Sequence, residues 1–337
     1  MLKSSKDMEI VLSGIRSTGN LHLGNYYGAL RNYIKMQDSY NCLFFIADLH
    51  SLTTHPHPND FHSGVKTILA EYLASGLDPE KSAIFIQSDV PEILELYVLL
   101  NMISYKGELE RTTSFKDKVR KQPDNVNAGL LTYPVLMAAD ILIHRANLVP
   151  VGKDQEQHLE MARVLARRFN SFYNCEVFPE PKAFNFGDDL IKVPGLDGSG
   201  KMGKSEGNGI YLSDDEKTIT KKVMRAVTDS GPTEPNSPMP ESIQNLFTLL
   251  KIVSDKTTVD YFYECYNNCS IRYGDLKKQL AQDICKQTLP IKERIDEIYN
   301  NDEYLKRVVK RGTDIARESA LSTLKEVKSA VGFRSFL

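Results

Sequence analysis

The chain has 337 residues, a net charge of −2, and 41% hydrophobic and 26% charged residues. That length supports a sizeable core and about two domains, and the composition is that of an ordinary globular protein rather than a fibrous or disordered one. No apolar run reaches the roughly 20 residues of a bilayer span, and the balanced charge offers no global attraction to nucleic acid, so RNA contacts must come from local patches.

The amino terminus carries no apolar signal segment. Five scattered cysteines (Cys42, Cys175, Cys265, Cys269 and Cys285) show neither a CxxC pair nor zinc-finger spacing. Free thiols, no protein-held metal and a cytoplasmic setting are expected.

In chain order, residues 9–13, 42–48 and 82–87 read as buried strands, while 22–36 and 60–75 show the three- and four-residue apolar spacing of amphipathic helices. The alternation predicts an α/β fold with a doubly wound parallel sheet and right-handed crossovers. Ligands bind such sheets at the carboxyl ends of the strands, which puts 14–19, 48–50 and 87–89 on one rim. A helical stretch at 91–120 precedes a long apolar helix at 130–145, a strand at 147–152 and a helix at 155–169. Residues 193–208, rich in glycine and lysine, read as a mobile loop rather than packed structure, and 230–240 as a linker. Beyond it the pattern is helical to the end.

Directly after the first strand stands Gly14-Ile15-Arg16-Ser17-Thr18-Gly19-Asn20-Leu21-His22-Leu23-Gly24-Asn25. A glycine turn opening into a helix brings unpaired N–H groups and a positive dipole end together, which suits phosphate. The string is neither a P-loop nor a GxGxxG fingerprint, which disfavours an ordinary NTPase or dehydrogenase.

This stretch resembles the first signature of the class I aminoacyl-tRNA synthetases, with His22-Leu23-Gly24-Asn25 in the place of HIGH. Lys201-Met202-Gly203-Lys204-Ser205, roughly 180 residues later, resembles the second, KMSKS. The chemistry explains the lysines: attack of a carboxylate on the α-phosphorus of ATP builds charge on the departing pyrophosphate, which positioned cations stabilise. Two positions depart from the pattern. Gly203 replaces a serine, and Ser17 stands where proline is frequent.

The run Gly129–Leu142 resembles the tryptophan-binding helix of the tryptophanyl branch. Tyr133, Met137 and Asp140 share one helix face, and apolar walls with a single carboxylate suit an indole, whose one polar group is a donor N–H. Tyrosine is the rival substrate within the same fold. Val149–His158 resembles the branch's VPVGxDQxQH, and Lys118 matches an ATP-contacting lysine.

From this likeness we expect His22, Asn25, Lys118, Lys201 and Lys204 to carry the chemistry. ATP is expected on Arg16, Ser17, Thr18, Gly24, Asn25, Gly152, Lys153, Asp154, Val193, Lys201, Met202, Gly203, Lys204 and Ser205. Tryptophan is expected on Leu12, His50, Tyr133, Met137, Asp140, Ile141 and Gln155. The likeness further implies a Rossmann-like catalytic domain over 1–192 with a short helical insertion at about 90–146, a KMSKS-type loop over 193–212, and a helical tRNA-binding domain over 213–337. Its partners would be tRNA for tryptophan, L-tryptophan, ATP with Mg2+ and a second copy of the chain. Eight basic residues against three acidic ones from 305 to 337, with Lys306, Arg307, Lys310 and Arg311 on one helical face, offer a surface for tRNA phosphates. A small-molecule adenylyltransferase shares the first motif but gives no reason for the lysine loop or the indole helix, and an inactive RNA-binding paralogue has no use for Lys118, Lys201 and Lys204.

Overall fold

A computed structural model describes residues 8–152, 155–184, 191–198, 200–203 and 206–334. Among these residues five strands, β1 (Ile10–Ile15), β2 (Asn41–Ile46), β3 (Ala83–Ile86), β4 (Leu148–Pro150) and β5 (Lys182–Phe184), form one sheet in the order β3-β2-β1-β4-β5. Every pairing is parallel. The predicted doubly wound sheet is therefore present. Its order reverses between β1 and β4, where such sheets open a crevice for ligands.

The helices of the first half are α1 (Leu23–Asn25), α2 (Arg31–Met36), α3 (Asp48–Ser51), α4 (Pro58–Ser75), α5 (Glu92–Met102), α6 (Lys106–Glu110), α7 (Thr113–Lys121), α8 (Ala128–Ile143) and α9 (Glu156–Phe172). A π-helical turn, Tyr26–Leu30, joins α1 to α2. The helical stretch expected at 91–120 is made of α5, α6 and α7, separated by short breaks. Helices α10 (Glu216–Met224), α11 (Glu241–Val253), α12 (Lys256–Asn267), α13 (Tyr273–Tyr299) and α14 (Asp302–Val331) make up the rest.

Strand β2 is buried at every position and apolar from Cys42 to Ile46, as suits a central parallel strand. The core continues into the carboxyl-terminal helices: Val11, Phe44 and Ile68 share one apolar cluster with Leu250, Leu280 and Ile284. Helix α14 covers the outer edge of β3 and sends Ala316, Ala320 and Leu324 into a second cluster with Phe85 and Leu142. An edge strand exposes unpaired backbone groups, and covering it with a helix removes a site of aberrant pairing.

This docking changes the reading of the basic face on α14. Arg311 donates to the backbone carbonyl oxygens of Pro79 and Glu80, and Arg317 binds Glu92 through Nε at 3.0 Å and Nη2 at 2.7 Å. These two arginines clamp the helix to the sheet domain. Lys306 and Lys310 make exposed pairs with Glu303 and Asp314 along the helix itself. The stretch 193–208 also differs from expectation, because Val193, Leu196 and Met202 are buried in the core and its described part is packed. No helix among the described residues is long and apolar enough to cross a membrane, and the five cysteines are unbridged.

Candidate active site

The chain leaves β1 into the turn 16–19, where Gly19 has φ 67°. Ser17 is buried; its N–H and its hydroxyl both donate to Ser51 Oγ, at 3.1 and 3.0 Å. Two hydrogen bonds thus hold this backbone where a proline ring would fix φ. Helix α4 approaches closely here: a Cβ on Gly64 would lie 2.3 Å from the Ser17 carbonyl oxygen. Only glycine allows that contact, and nothing in the local sequence around 64 announces it.

His22 caps α1. Its Nδ1 accepts from Asn25 N–H at 3.2 Å while Asn25 Oδ1 accepts from His22 N–H at 3.1 Å, a reciprocal capping box. The imidazole is therefore held as a structural cap, with Gly24 beside it. The neighbouring backbone pairs with 210–212: Leu23 N–H donates to Ile210 and Leu212 N–H to Leu21. Met202 packs under Gly24 and Gly209. The two lysine- and histidine-bearing signatures are thus one packed unit.

Where β1 and β4 diverge lies a cleft of about 400 Å³. Its lining includes Leu12, Arg16, Thr18, Asn25, His50, Tyr133, Met137, Asp140, Ile141, Gly152 and Gln155, which gathers eleven of the predicted site residues. Helix α8 forms one wall. It begins at the Asn127 cap, whose Oδ1 accepts from Leu130 N–H at 2.9 Å, and it presents Tyr133, Met137 and Asp140 on one face, as their spacing requires.

Asp140 sits at the bottom, 2% exposed. His50 Nε2 lies 2.8 Å from its Oδ2, and Gln87 Nε2 donates to Oδ1 at 2.7 Å. Burial pushes the Asp140 carboxyl up, while the hydrogen bond and charge of His50 and the bond from Gln87 pull it down. Gln87 was not singled out in the sequence. The one signal was its place at the carboxyl end of β3.

The mouth of the cleft is cationic. Lys118 Nζ stands 3.7 Å from the centre of the Tyr133 ring, a cation–π contact. Burial, and then the nearby Arg16 guanidinium, lower the Lys118 pKa to about 8. Neither cation forms an ion pair among the described residues. Two like charges held together without a counter-ion form a receptor for an anion. The helix carrying Lys118 is tied to α9, since Ser114 Oγ meets His158 Nε2 at 2.6 Å and His158 Nδ1 meets Gln155 Oε1 at 2.8 Å.

Other predicted residues stand elsewhere. The side chains of Ser17, Val193 and Met202 face the interior, so a ligand would meet their backbone. Lys201 is exposed and outside the cleft lining. Gly203 N–H donates to Asn208 Oδ1 at 3.0 Å, and Asn208 Nδ2 in turn reaches Asp197 at 3.1 Å, so Asn208 braces this loop from within. Lys153, Asp154, Lys204 and Ser205 lie outside the described residues. No cluster of three His, Cys, Asp or Glu among the described residues is placed to hold a metal ion.

A family-wide profile described as tRNA synthetases class I (W and Y) matches residues 4–287. The chain is 67% identical over 327 residues, 97% of its length and 100% of the relative's, to a tryptophan–tRNA ligase of Porphyromonas gingivalis. It is 40% identical over 327 residues, 96% of its length and 95% of the relative's, to that of Clostridium tetani. Its structure is similar to a tryptophanyl-tRNA synthetase of Campylobacter jejuni complexed with ADP and tryptophan, with a TM-score of 0.88 and 34% identity over 96% of this chain and 100% of that one.

Proposed function

This chain belongs to the class I tRNA synthetases of the tryptophan and tyrosine family, and from that premise we propose how its residues divide the work. The reaction is that of a tryptophan–tRNA ligase. A carboxylate oxygen of L-tryptophan attacks the α-phosphorus of ATP, the bond between the α-phosphorus and the bridging oxygen breaks, and pyrophosphate leaves. The aminoacyl group then passes from the adenylate to the 3′ end of the tRNA, releasing AMP.

The observation that carries the assignment of roles is Asp140, buried and the one carboxylate among the described residues that line the cleft. It accepts the indole N–H, with Met137, Ile141, Leu12 and Tyr133 against the ring and Gln155 reaching the amino-acid main chain. Arg16 and Lys118 at the mouth receive the ATP phosphates, with Thr18 and Asn25 beside them and Gly152 near the ribose. Mg2+ enters on those phosphates, since it is bound mostly through substrate oxygens and water in such sites. Lys201 reaches the pyrophosphate only when its loop moves toward the cleft. The division into a catalytic part (1–192), a loop (193–212) and a helical tRNA-binding part (213–337) is retained as part of this reading. Exposed Lys306, Arg307 and Lys310 on α14 support it, because exposed ion pairs are weak and yield to phosphate. Among the described residues no helix is long and apolar enough to cross a membrane, and a cytoplasmic setting remains part of the proposal.

ATP–pyrophosphate exchange with each of the twenty amino acids tests the substrate. Exchange with tryptophan is expected, and exchange with tyrosine in its place would overturn the assignment. The pH dependence tests Lys118. Free enzyme loses this positive charge as pH rises through about 8, so kcat/KM for ATP should fall there. Lys118→Arg, charged at every working pH, should abolish that limb; an unchanged limb would remove Lys118 from the phosphate site.

A second copy of the chain finds a ready surface on α5. Leu94, Val98 and Met102 are 39%, 51% and 74% exposed in one row, with Tyr105 and Leu52 exposed as well. Apolar faces of this kind mark interfaces. Sedimentation should give a dimer, and Val98→Asp with Met102→Lys a monomer. A monomeric parent protein at micromolar concentration would refute the interface.

A further inference from the structure

Indole recognition needs more than the presence of Asp140. The ring N–H is a donor only, so its partner must offer an open lone pair, and an ionised carboxylate offers the strongest. Inside a cleft this carboxylate is at risk of taking a proton. Burial favours the neutral acid, and the nearby Asp48 adds a like charge. Asp48 is itself held by the N–H groups of Leu49 and Ser88, at 2.9 and 3.1 Å, and stays close to the rim.

Two side chains oppose the proton. Gln87, just beyond β3, donates to one oxygen of Asp140, and His50 Nε2 on α3 lies 2.8 Å from the other. Tyr133 of α8 reaches the group through His50, its ring centre 4.4 Å from the imidazole. His50 is 3% exposed and Gln87 fully buried. Gln87 does not line the cleft, so it never meets a substrate. Among the described residues its Oε1 and His50 Nδ1 have no hydrogen-bond partner. A fully buried amide with one unsatisfied end is costly, and the end that is satisfied is the one on Asp140.

We propose that Gln87 is a specificity-determining positioning residue: with His50 it holds Asp140 as an oriented carboxylate, so that the cleft selects ligands with a ring N–H. This deepens the assignment of Asp140 as the indole acceptor and rests on it. A glutamine is well suited to this position. It donates without titrating, so the hold on Asp140 persists at any pH where the protein is folded, whereas a second histidine would itself change charge near neutrality.

The test compares tryptophan with β-(3-benzothienyl)alanine, in which sulfur replaces the ring N–H, by pyrophosphate exchange on the full chain from pH 6 to 8.5. In the parent protein the kcat/KM ratio should favour tryptophan by on the order of 10²-fold or more and stay flat across that range. Gln87→Met, close in size, should lower the ratio about tenfold, most at the acid end of that range, because the carboxyl loses a donor that pulls its pKa down; KM for ATP should not change. A merely structural role would depress both substrates alike, and a ratio that keeps the parent value at every pH would overturn the proposal. If Gln87→Met fails to fold, the parent protein still decides: a ratio falling tenfold toward pH 6 would show that the charge is not held. A parent protein with no preference for the N–H would sink the Asp140 assignment together with this inference, an outcome distinct from failure of the Gln87 role alone.

Discussion

Asp140→Ala should bring the preference for tryptophan over phenylalanine from about 10⁴-fold down to within about a hundredfold, the residue being due to size and ring packing. The asymmetry of hydrogen bonding explains the magnitude. A pocket that buries an acceptor rejects a ligand without a donor because the acceptor is then left unpaired, and that penalty far exceeds the value of one more methylene. In Asp140→Ala the penalty no longer falls on phenylalanine. Tryptophan, in contrast, loses a charge-assisted bond, and its indole N–H is buried against Ala with the donors His50 Nε2 and Gln87 Nε2 nearby. Its kcat/KM should drop by about 10²–10³-fold.

Loss of specificity is not expected to be loss of fold. The Asp140 pKa is raised by burial, so any stability it contributes is full below the ordinary carboxyl range and is lost as pH rises through its folded value. At neutral pH its charge is carried at a cost, and removing it offsets the two orphaned donors. Pyrophosphate exchange with both amino acids and a thermal melt at pH 7.5 check this. An unchanged preference would refute the role of Asp140, and a collapsed melt would mean that its part is structural.

The features legible in the sequence were those that local chemistry dictates. Residues 9–13, 42–48 and 82–87 read as strands because they are short, apolar and followed by turns, and β1, β2 and β3 stand there within a residue or two. Tyr133, Met137 and Asp140 converge because a helix repeats every 3.6 residues. What escaped depends on residues far apart in the chain. β5 is three residues long and two of them are exposed, so it has no apolar run to detect. Gln87 matters only because α8 places Asp140 against it, 53 residues later. The loop at 193–208 looked unpacked from its glycines and lysines, yet Val193 and Met202 find partners around His22 and Ile210. Arg311 was read with the basic face because the sequence does not show that α14 returns to the sheet, where Arg311 and Arg317 are tied down.

That return hinges on Gly312, and Gly312→Ala should be among the most destabilising conservative changes in the chain. A Cβ at 312 would lie 1.9 Å from the Ile84 carbonyl oxygen and 2.8 Å from its nitrogen, both backbone atoms of β3. Neither can rotate away as a side chain would, so helix and strand must separate by an ångström or more. Separation along α14 also loosens Ala316, Ala320 and Leu324 and pulls on the Arg311 and Arg317 clamps. Helix propensity alone would favour alanine by about 1 kcal/mol, while overpacking costs about 1–3 kcal/mol and more where backbone is the obstacle. We therefore expect a net loss of at least about 2 kcal/mol by urea unfolding, with the cleft chemistry little changed in the molecules that remain folded. Gly274→Ala is the control, since nothing lies within 4 Å of a Cβ there and the same change near the start of α13 should be neutral or mildly stabilising. If both variants unfold at the same urea concentration, close approach at Gly312 does not govern docking. If only Gly312→Ala shifts, the glycine is what lets a helix seal the edge of the sheet whose centre holds the cleft.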